Sequence, residues 1–445
     1  MTMRSIAIIS DHASPLADLG GVDSGGQNVY VKQVAGHLAA RGYDVDVFTR
    51  RDDPGLPEMT QCSNGVRVVH VTAGPARYIR KEELLQHMQE FTENMLRFCT
   101  RKAYDIIHAN FWMSGLVALN LKRLLRIPFV ITFHALGRIR RLHQHDADQF
   151  PDDRFRIEDL IVEECDGIIA ECPQDRADLI DLYNAAGSKI CIVPCGFDPQ
   201  ELYPVKKHVA RLMLGFPPEV PLVLQLGRIV PRKGIDTVIS GFARFLRDCS
   251  RKACLAVVGG ENRTPDPVRD PEIARLHELS CREGIAEQVL FPGRANRDEV
   301  KYYFSAADVF VTTPWYEPFG ITPLEAMACG TPVVGAAVGG IKFTVKDGVT
   351  GRLVPPRDPD ALAAALAEIV TPKGMLERMG RNAIERVNRL FTWEIVVRKL
   401  LGFYAKAARD RARPFSDHPR FTESVPKRLA PGSGEQKKEN TICNR

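Results

Sequence analysis

Short runs of β-branched and aliphatic residues recur along the chain, separated by helical stretches. Runs at 5–10, 44–48, 66–71, 105–109, 129–134, 167–171 and 190–193 read as strands, and so do 222–226, 254–258, 289–291, 309–312 and 333–335. Helical candidates lie between them, among others at 28–41, 82–100, 154–164, 235–247 and 360–369. Strands alternating with helices predict α/β architecture, with parallel sheets built from right-handed βαβ units. The alternation pauses near 194–221, a stretch rich in Pro, Gly and charge, and then restarts. That is the pattern of a linker between two doubly wound domains. The predicted division is one domain at 1–200, a second at 205–390, helices at 391–410 crossing back to the first domain, and a disordered tail at 411–445. Two such domains predict a cleft, with ligands at the carboxyl ends of the strands.

Composition narrows the class. The chain has 445 residues, 44% hydrophobic and 26% charged, which excludes a collagenous or mainly disordered protein. No apolar run approaches the ~20 residues of a membrane helix, so no stable membrane insertion is expected. The net charge of +5 invites a nucleic-acid partner, but residues 411–445 hold eight Lys/Arg against four Asp/Glu, so +4 of it sits on the tail. A nucleic-acid footprint on the body is therefore not expected. Eleven cysteines occur without a CxxC pair, which predicts free thiols in a reducing compartment. With no N-terminal signal segment in evidence, the expected location is the cytoplasm.

Three motifs follow predicted strands. Gly20 to Asn28 is a glycine-rich loop opening a helix, where Gly25 and Gly26 allow close approach of backbone to an anion. It is neither a dinucleotide fingerprint nor a Walker loop. Gly227-Arg228-Ile229-Val230-Pro231-Arg232-Lys233-Gly234 places Arg228 and Lys233 where two cations can grip a diphosphate. In Glu317-Pro318-Phe319-Gly320-Ile321-Thr322-Pro323-Leu324-Glu325, one carboxylate lies in a loop and the other eight residues on in a helix, so they can meet neighbouring parts of one ligand. The backbone amides near Phe319, Gly320 and Ile321 can receive phosphate oxygens. His143-Gln144-His145-Asp146 lacks a third ligand of clear placement, and no metal is predicted.

Together these motifs, with the Val338-Gly339-Gly340 turn, resemble the retaining glycosyltransferases of family four over roughly residues 4–405. The likeness is to the inositol-phosphate N-acetylglucosaminyltransferases and to the sucrose-phosphate and sucrose synthases. It implies the GT-B fold: two Rossmann-like domains facing a cleft, the first for the acceptor and the second for the nucleotide sugar. By that likeness Arg228 and Lys233 would bind the donor diphosphate, Glu317 the donor sugar, Glu325 the ribose and Gly26 the phosphates, while the segment at Arg294 would receive the base, commonly uracil. His134 matches the family's histidine beside the reacting centre, whereas His108 reads as a packed residue. Gln27, Asn28, Lys81 and Arg154 fall at acceptor positions. Phe111 and Ala135 replace two hydroxyl side chains there, which argues against inositol phosphate, while Lys81 and Arg154 argue for some phosphorylated acceptor. Arg138, Arg140 and Arg141 read as a solvated basic loop. The resemblance implies no cofactor, the nucleotide sugar being a substrate, with a small-molecule acceptor as partner and a homodimer as a possible assembly. The competing expectations are a nucleotide-sugar hydrolase or epimerase and a catalytically silent nucleotide-sugar-binding protein.

Overall fold

The computed structural model describes residues 3–17, 25–249, 252–260, 262–266, 268, 270–372 and 374–410. Residues 20–24 of the expected glycine loop, and the tail at 411–445, lie outside these residues. The strands are β1 (Ser5–Ile9), β2 (Asp44–Arg50), β3 (Met59–Gln61), β4 (Arg67–Val71), β5 (Ile106–Asn110), β6 (Phe129–Thr132), β7 (Gly167–Ala170) and β8 (Ile190–Ile192). They continue with β9 (Leu222–Leu226), β10 (Cys254–Val258), β11 (Val289–Gly293), β12 (Val309–Thr312), β13 (Val333–Ala336) and β14 (Gly351–Val354).

The strands form two sheets, ordered β3-β4-β2-β1-β5-β6-β7-β8 and β11-β10-β9-β12-β13-β14. All pairings are parallel except the antiparallel edge pair β3–β4. Because parallel strands are covered by helices on both faces, the central ones are mostly apolar. In β1, Ile6 and Ile8 enter one core layer while Ala7 and Ile9 enter the layer on the opposite face. Strand order reverses between β1 and β5 in the first sheet and between β9 and β12 in the second. A crevice opens at each such switch point, beyond the carboxyl ends of the strands.

A single core layer runs from Ile6 and Tyr30 through Phe197 to Phe319 and Trp393, so it joins both sheets. The chain crosses back where the Phe197 amide donates to Phe391 O (2.9 Å) and the Trp393 amide to Phe197 O (3.2 Å). Helix Trp393–Asp410 then packs on helix Gly26–Ala39 and β6. Its Tyr404 hydroxyl meets His108 Nδ1 at 2.6 Å, and His108 Nε2 meets Thr132 Oγ1 at 2.9 Å. Burial, with the charge of His134 adding to it, pushes the His108 imidazole down to about 3. His108 is thus the packed residue the sequence suggested. No described helix is long and apolar enough to cross a membrane.

Some expected boundaries move. The helix expected at 82–100 is a 3-10 segment, Lys81–His87, followed by helix Met88–Arg101. The strand expected to end at His134 stops at Thr132, and His134 lies beyond it with φ 56°, in the left-handed region. Strands β3 and β14 were not anticipated; both are short and carry polar residues.

Candidate active site

Backbone geometry builds the second domain's side of the cleft. After β9 the chain makes a 3-10 turn, Pro231–Lys233, and leaves it through Gly234 at φ 65°. A Cβ on Gly234 would lie 2.0 Å from Thr313 O, so only glycine lets this loop close against the end of β12. The Thr313 hydroxyl donates to Gly234 O (2.8 Å) and the Trp315 amide to Arg232 O (2.9 Å), locking the two loops together. The Val338-Gly339-Gly340 turn backs the acidic motif. The Gly340 amide donates to Glu317 O at 3.1 Å, and a Cβ on Gly340 would lie 2.2 Å from Phe319 O.

This scaffold brings Lys233 and Glu317 into a direct ion pair, both side chains largely withdrawn from solvent. Burial pushes the Lys233 ammonium below its usual value, opposed by Glu317 and reinforced by Arg232 and Arg228. Burial works to raise the Glu317 carboxyl, but Lys233, Arg232 and Arg228 outweigh it and hold the group below the usual carboxylate value. Phe319 is buried in the shared core, so its backbone alone is available to a ligand. Gly320, at φ 85°, starts helix Ile321–Ala328. Glu325, inside that helix, pairs with Arg297, which also reaches Glu201 at 3.0 Å.

The first domain meets these loops through the start of helix Gly26–Ala39. A Cβ on Gly25 would lie 3.9 Å from Arg228 Cζ, and one on Gly26 would lie 3.3 Å from Ile321 Cδ1. Residues from all three motifs therefore converge on one place. Arg294 stands apart from the Lys233–Glu317 pair, lining an open cavity of about 520 Å³ with Lys32, Asn64 and Arg297.

On the first domain's side, Gln27 Nε2 donates to Ser10 Oγ (3.2 Å) and Asn110 O (3.3 Å), bridging β1 and β5 at the first switch point. The Asn28 amide is engaged locally: Oδ1 accepts from the Gly25 amide and Nδ2 donates to Ser14 O, both at 2.9 Å. Lys81 opens the 3-10 segment Lys81–His87. Arg154 is buried, with Nε on Glu158 (2.7 Å) and its guanidinium among the rings of Phe111, Trp112 and Phe150. Its Nη1 is buried with no hydrogen-bond partner among the described residues. Phe111, at φ 81°, packs edge-on against His12. The three arginines expected in a solvated basic loop lie instead in helix Gly137–Gln144, where Arg138 pairs with Asp159, Arg140 with Asp148, and Arg141 with Asp148 and Asp152, so the protein itself neutralises them.

His134 is held on both sides: Nδ1 lies 3.0 Å from Glu171 Oε1 and Nε2 lies 3.0 Å from Asn110 Oδ1. Asn110 Nδ2 faces two carbonyl oxygens, Ile9 O and His108 O, which fixes the amide with Oδ1 toward the imidazole. Residues Asn110, Glu171 and Arg297 were missed at the sequence level. Each stands just at or beyond a strand end, and that position was the available signal. Across the cleft, Gln144 Nε2 donates to the Tyr316 hydroxyl, His143 stacks on the Tyr316 ring (5.0 Å, 15°) and Lys342 donates to Gln174 (2.9 Å).

Residues 24–201 match the Glycosyltransferase Family 4 description and residues 210–386 match Glycosyl transferases group 1. A D-inositol 3-phosphate glycosyltransferase of Actinosynnema mirum is 36% identical over 91% of this chain and 98% of its own. The second D-inositol 3-phosphate glycosyltransferase of Catenulispora acidiphila is 35% identical over 92% and 96%. Among solved structures, a sucrose-phosphate synthase from Thermosynechococcus elongatus superposes with TM-score 0.83 at 36% identity, covering 91% of this chain and 98% of that one.

Proposed function

The chain belongs to the family 4 glycosyltransferases, and from that premise we propose a retaining enzyme that moves a hexosyl group from a UDP-linked sugar to a hydroxyl of a small phosphorylated acceptor. Its two facing parallel sheets are the GT-B fold, and sugar transfer from a nucleotide sugar is the activity of the family. The observation that carries the finer reading is the Lys233–Glu317 pair, set at the second switch point and faced by Arg228 and the Gly25–Gly26 helix start.

As the glycosidic bond breaks, negative charge grows on the leaving diphosphate. Arg228, Lys233 and the amides at Gly320–Ile321 are fixed in place to meet that charge, so they stabilise it more than they stabilise the bound donor. Glu317 accepts from sugar hydroxyls while holding Lys233 in place. Glu325, oriented by Arg297, takes the ribose hydroxyls, and Arg294 borders the base. His134 stands beside the reacting centre in the orientation that Glu171 and Asn110 impose. Retention follows from attack on the face the diphosphate leaves, with the diphosphate taking the acceptor's proton. The Gln144–Tyr316 and Lys342–Gln174 contacts close the domains over the sugar, which excludes water and favours transfer over hydrolysis.

A phosphorylated acceptor is supported by Arg154, whose buried Nη1 has no hydrogen-bond partner among the described residues, and by Lys81. The relatives are named for inositol phosphate and sucrose phosphate chemistry. Free cysteines such as Cys99, Cys165, Cys195 and Cys329 fit a reducing cytoplasmic setting. The test is incubation with UDP-glucose or UDP-N-acetylglucosamine and a panel of myo-inositol phosphate, fructose 6-phosphate, fructose and inositol, reading UDP release and product mass. UDP release that requires a phosphorylated acceptor, with an α-linked product, is expected. Release without acceptor indicates a hydrolase, and donor binding without turnover indicates a silent binding protein.

A further inference from the structure

The cations of the cleft differ in how they are neutralised. Lys233 pairs with Glu317, and Arg297 with Glu325 and Glu201. Arg232, next in sequence to Lys233, is part-buried, and its Nη1 is fully withdrawn from solvent without a hydrogen-bond partner. Among the described residues its guanidinium forms no ion pair and donates no hydrogen bond, although its carbonyl is fixed by the Trp315 amide at 2.9 Å. The guanidinium lies over the Tyr316 ring, 5.6 Å from the centroid. Its charge acts on both Lys233 and Glu317, so it stands close to that pair. A withdrawn N–H group without an acceptor is costly, and crowding a guanidinium against an ammonium adds repulsion. A fold keeps such an arrangement where a ligand supplies the missing acceptor.

We propose that Arg232 is a phosphate-binding residue of the cleft, with Tyr316 as its platform, and that it takes a phosphate of the nucleotide diphosphate and sets the preference for a diphosphate over a monophosphate. This rests on the nucleotide-sugar reading above. The placement favours the diphosphate: the 3-10 turn that carries Arg232 ends in Lys233, at the strand end where the second sheet binds its ligand. Tyr316 also touches His143 and Gln144 of the first domain, so the platform is set only when the domains are together.

The experiment compares wild type, Arg232→Met and Arg232→Lys by calorimetric titration and thermal shift with UDP, UMP and uridine, with ADP and GDP run in parallel. In Arg232→Met, UDP affinity should fall ~10–100-fold, the range for a lost hydrogen bond to a charged group. UMP should lose less, uridine nothing, and Arg232→Lys should fall between. The unliganded Tm of Arg232→Met should equal or exceed that of wild type, since a withdrawn N–H group without an acceptor and the repulsion of Lys233 have been removed. A merely structural Arg232 gives the opposite: a lower unliganded Tm with unchanged UDP affinity. That result, or an equal loss for uridine, would overturn the assignment. Failure of wild type to bind any of the three diphosphates would instead bring down the nucleotide-sugar reading on which it rests.

Discussion

Two carboxyl groups show how single residues set the chemistry of this cleft. Glu317 stays charged in a buried place because Lys233 touches it, so Lys233→Met should act in two ways. Turnover should fall ~10²–10³-fold from the lost contact with the leaving group. The Tm should also fall, because Glu317 is left buried without its partner. Adding Glu317→Gln should recover the Tm and leave the rate low, which separates the two effects by a mutant cycle. Asp175, behind His134, is the second case. Burial, and then the charge of Glu171, push its carboxyl up to about 8 from 3.8. A raised folded value means that the stability this group contributes is complete below about pH 4 and is lost as pH rises through about 8. Asp175→Asn has no such titration. Its Tm relative to wild type should therefore climb from pH 5 to about pH 8 and level off above that in a buffer series.

At the scale of elements, glycines decide whether the loops can meet. Gly234→Ala places a Cβ 2.0 Å from Thr313 O at φ 65°, so it should lower the Tm and weaken UDP binding together. Gly402→Ala, in helix Trp393–Asp410 with nothing within 4 Å of the added Cβ, is the control. It should stabilise the protein by about 0.5–1 kcal/mol, the helix preference for alanine over glycine, without changing activity. Denaturant unfolding of both variants checks the pair. The same scale shows what the sequence could reveal. Parallel strands such as β1 and β10 are continuous apolar runs, so they stand out from their surroundings. Strands β3 and β14 are brief and partly polar, and local pattern alone does not separate them from loops. The glycine and acidic motifs were legible because their residues are neighbours in the chain. The Arg297–Glu325 and His134–Glu171 contacts were not, since their partners are 28 and 37 residues apart and only folding joins them. The ion pairs of Arg138, Arg140 and Arg141 show that a basic run read as a solvated loop can be a helix balanced by its neighbours.

For the whole molecule, charge and closure matter most. Of the net +5, +4 belongs to residues 411–445, so the anion recognition proposed for the body rests on placed cations instead of net charge. Deleting residues 414–445 should leave kcat and KM in solution unchanged, as steady-state assays of the truncated protein will show. The shared core through Phe197 and Trp393 holds the two domains in one unit, while the Gln144–Tyr316 contact spans the opening between them. The central claim is that this opening transfers a sugar from a nucleotide donor with retention. Its most direct test is proton NMR of the anomeric product formed from α-linked UDP-glucose or UDP-N-acetylglucosamine with fructose 6-phosphate or myo-inositol 1-phosphate. The account predicts an α-glycosidic signal that appears only when donor and acceptor are both present. A β-linked product, or free sugar released from donor alone at the same rate, would contradict it.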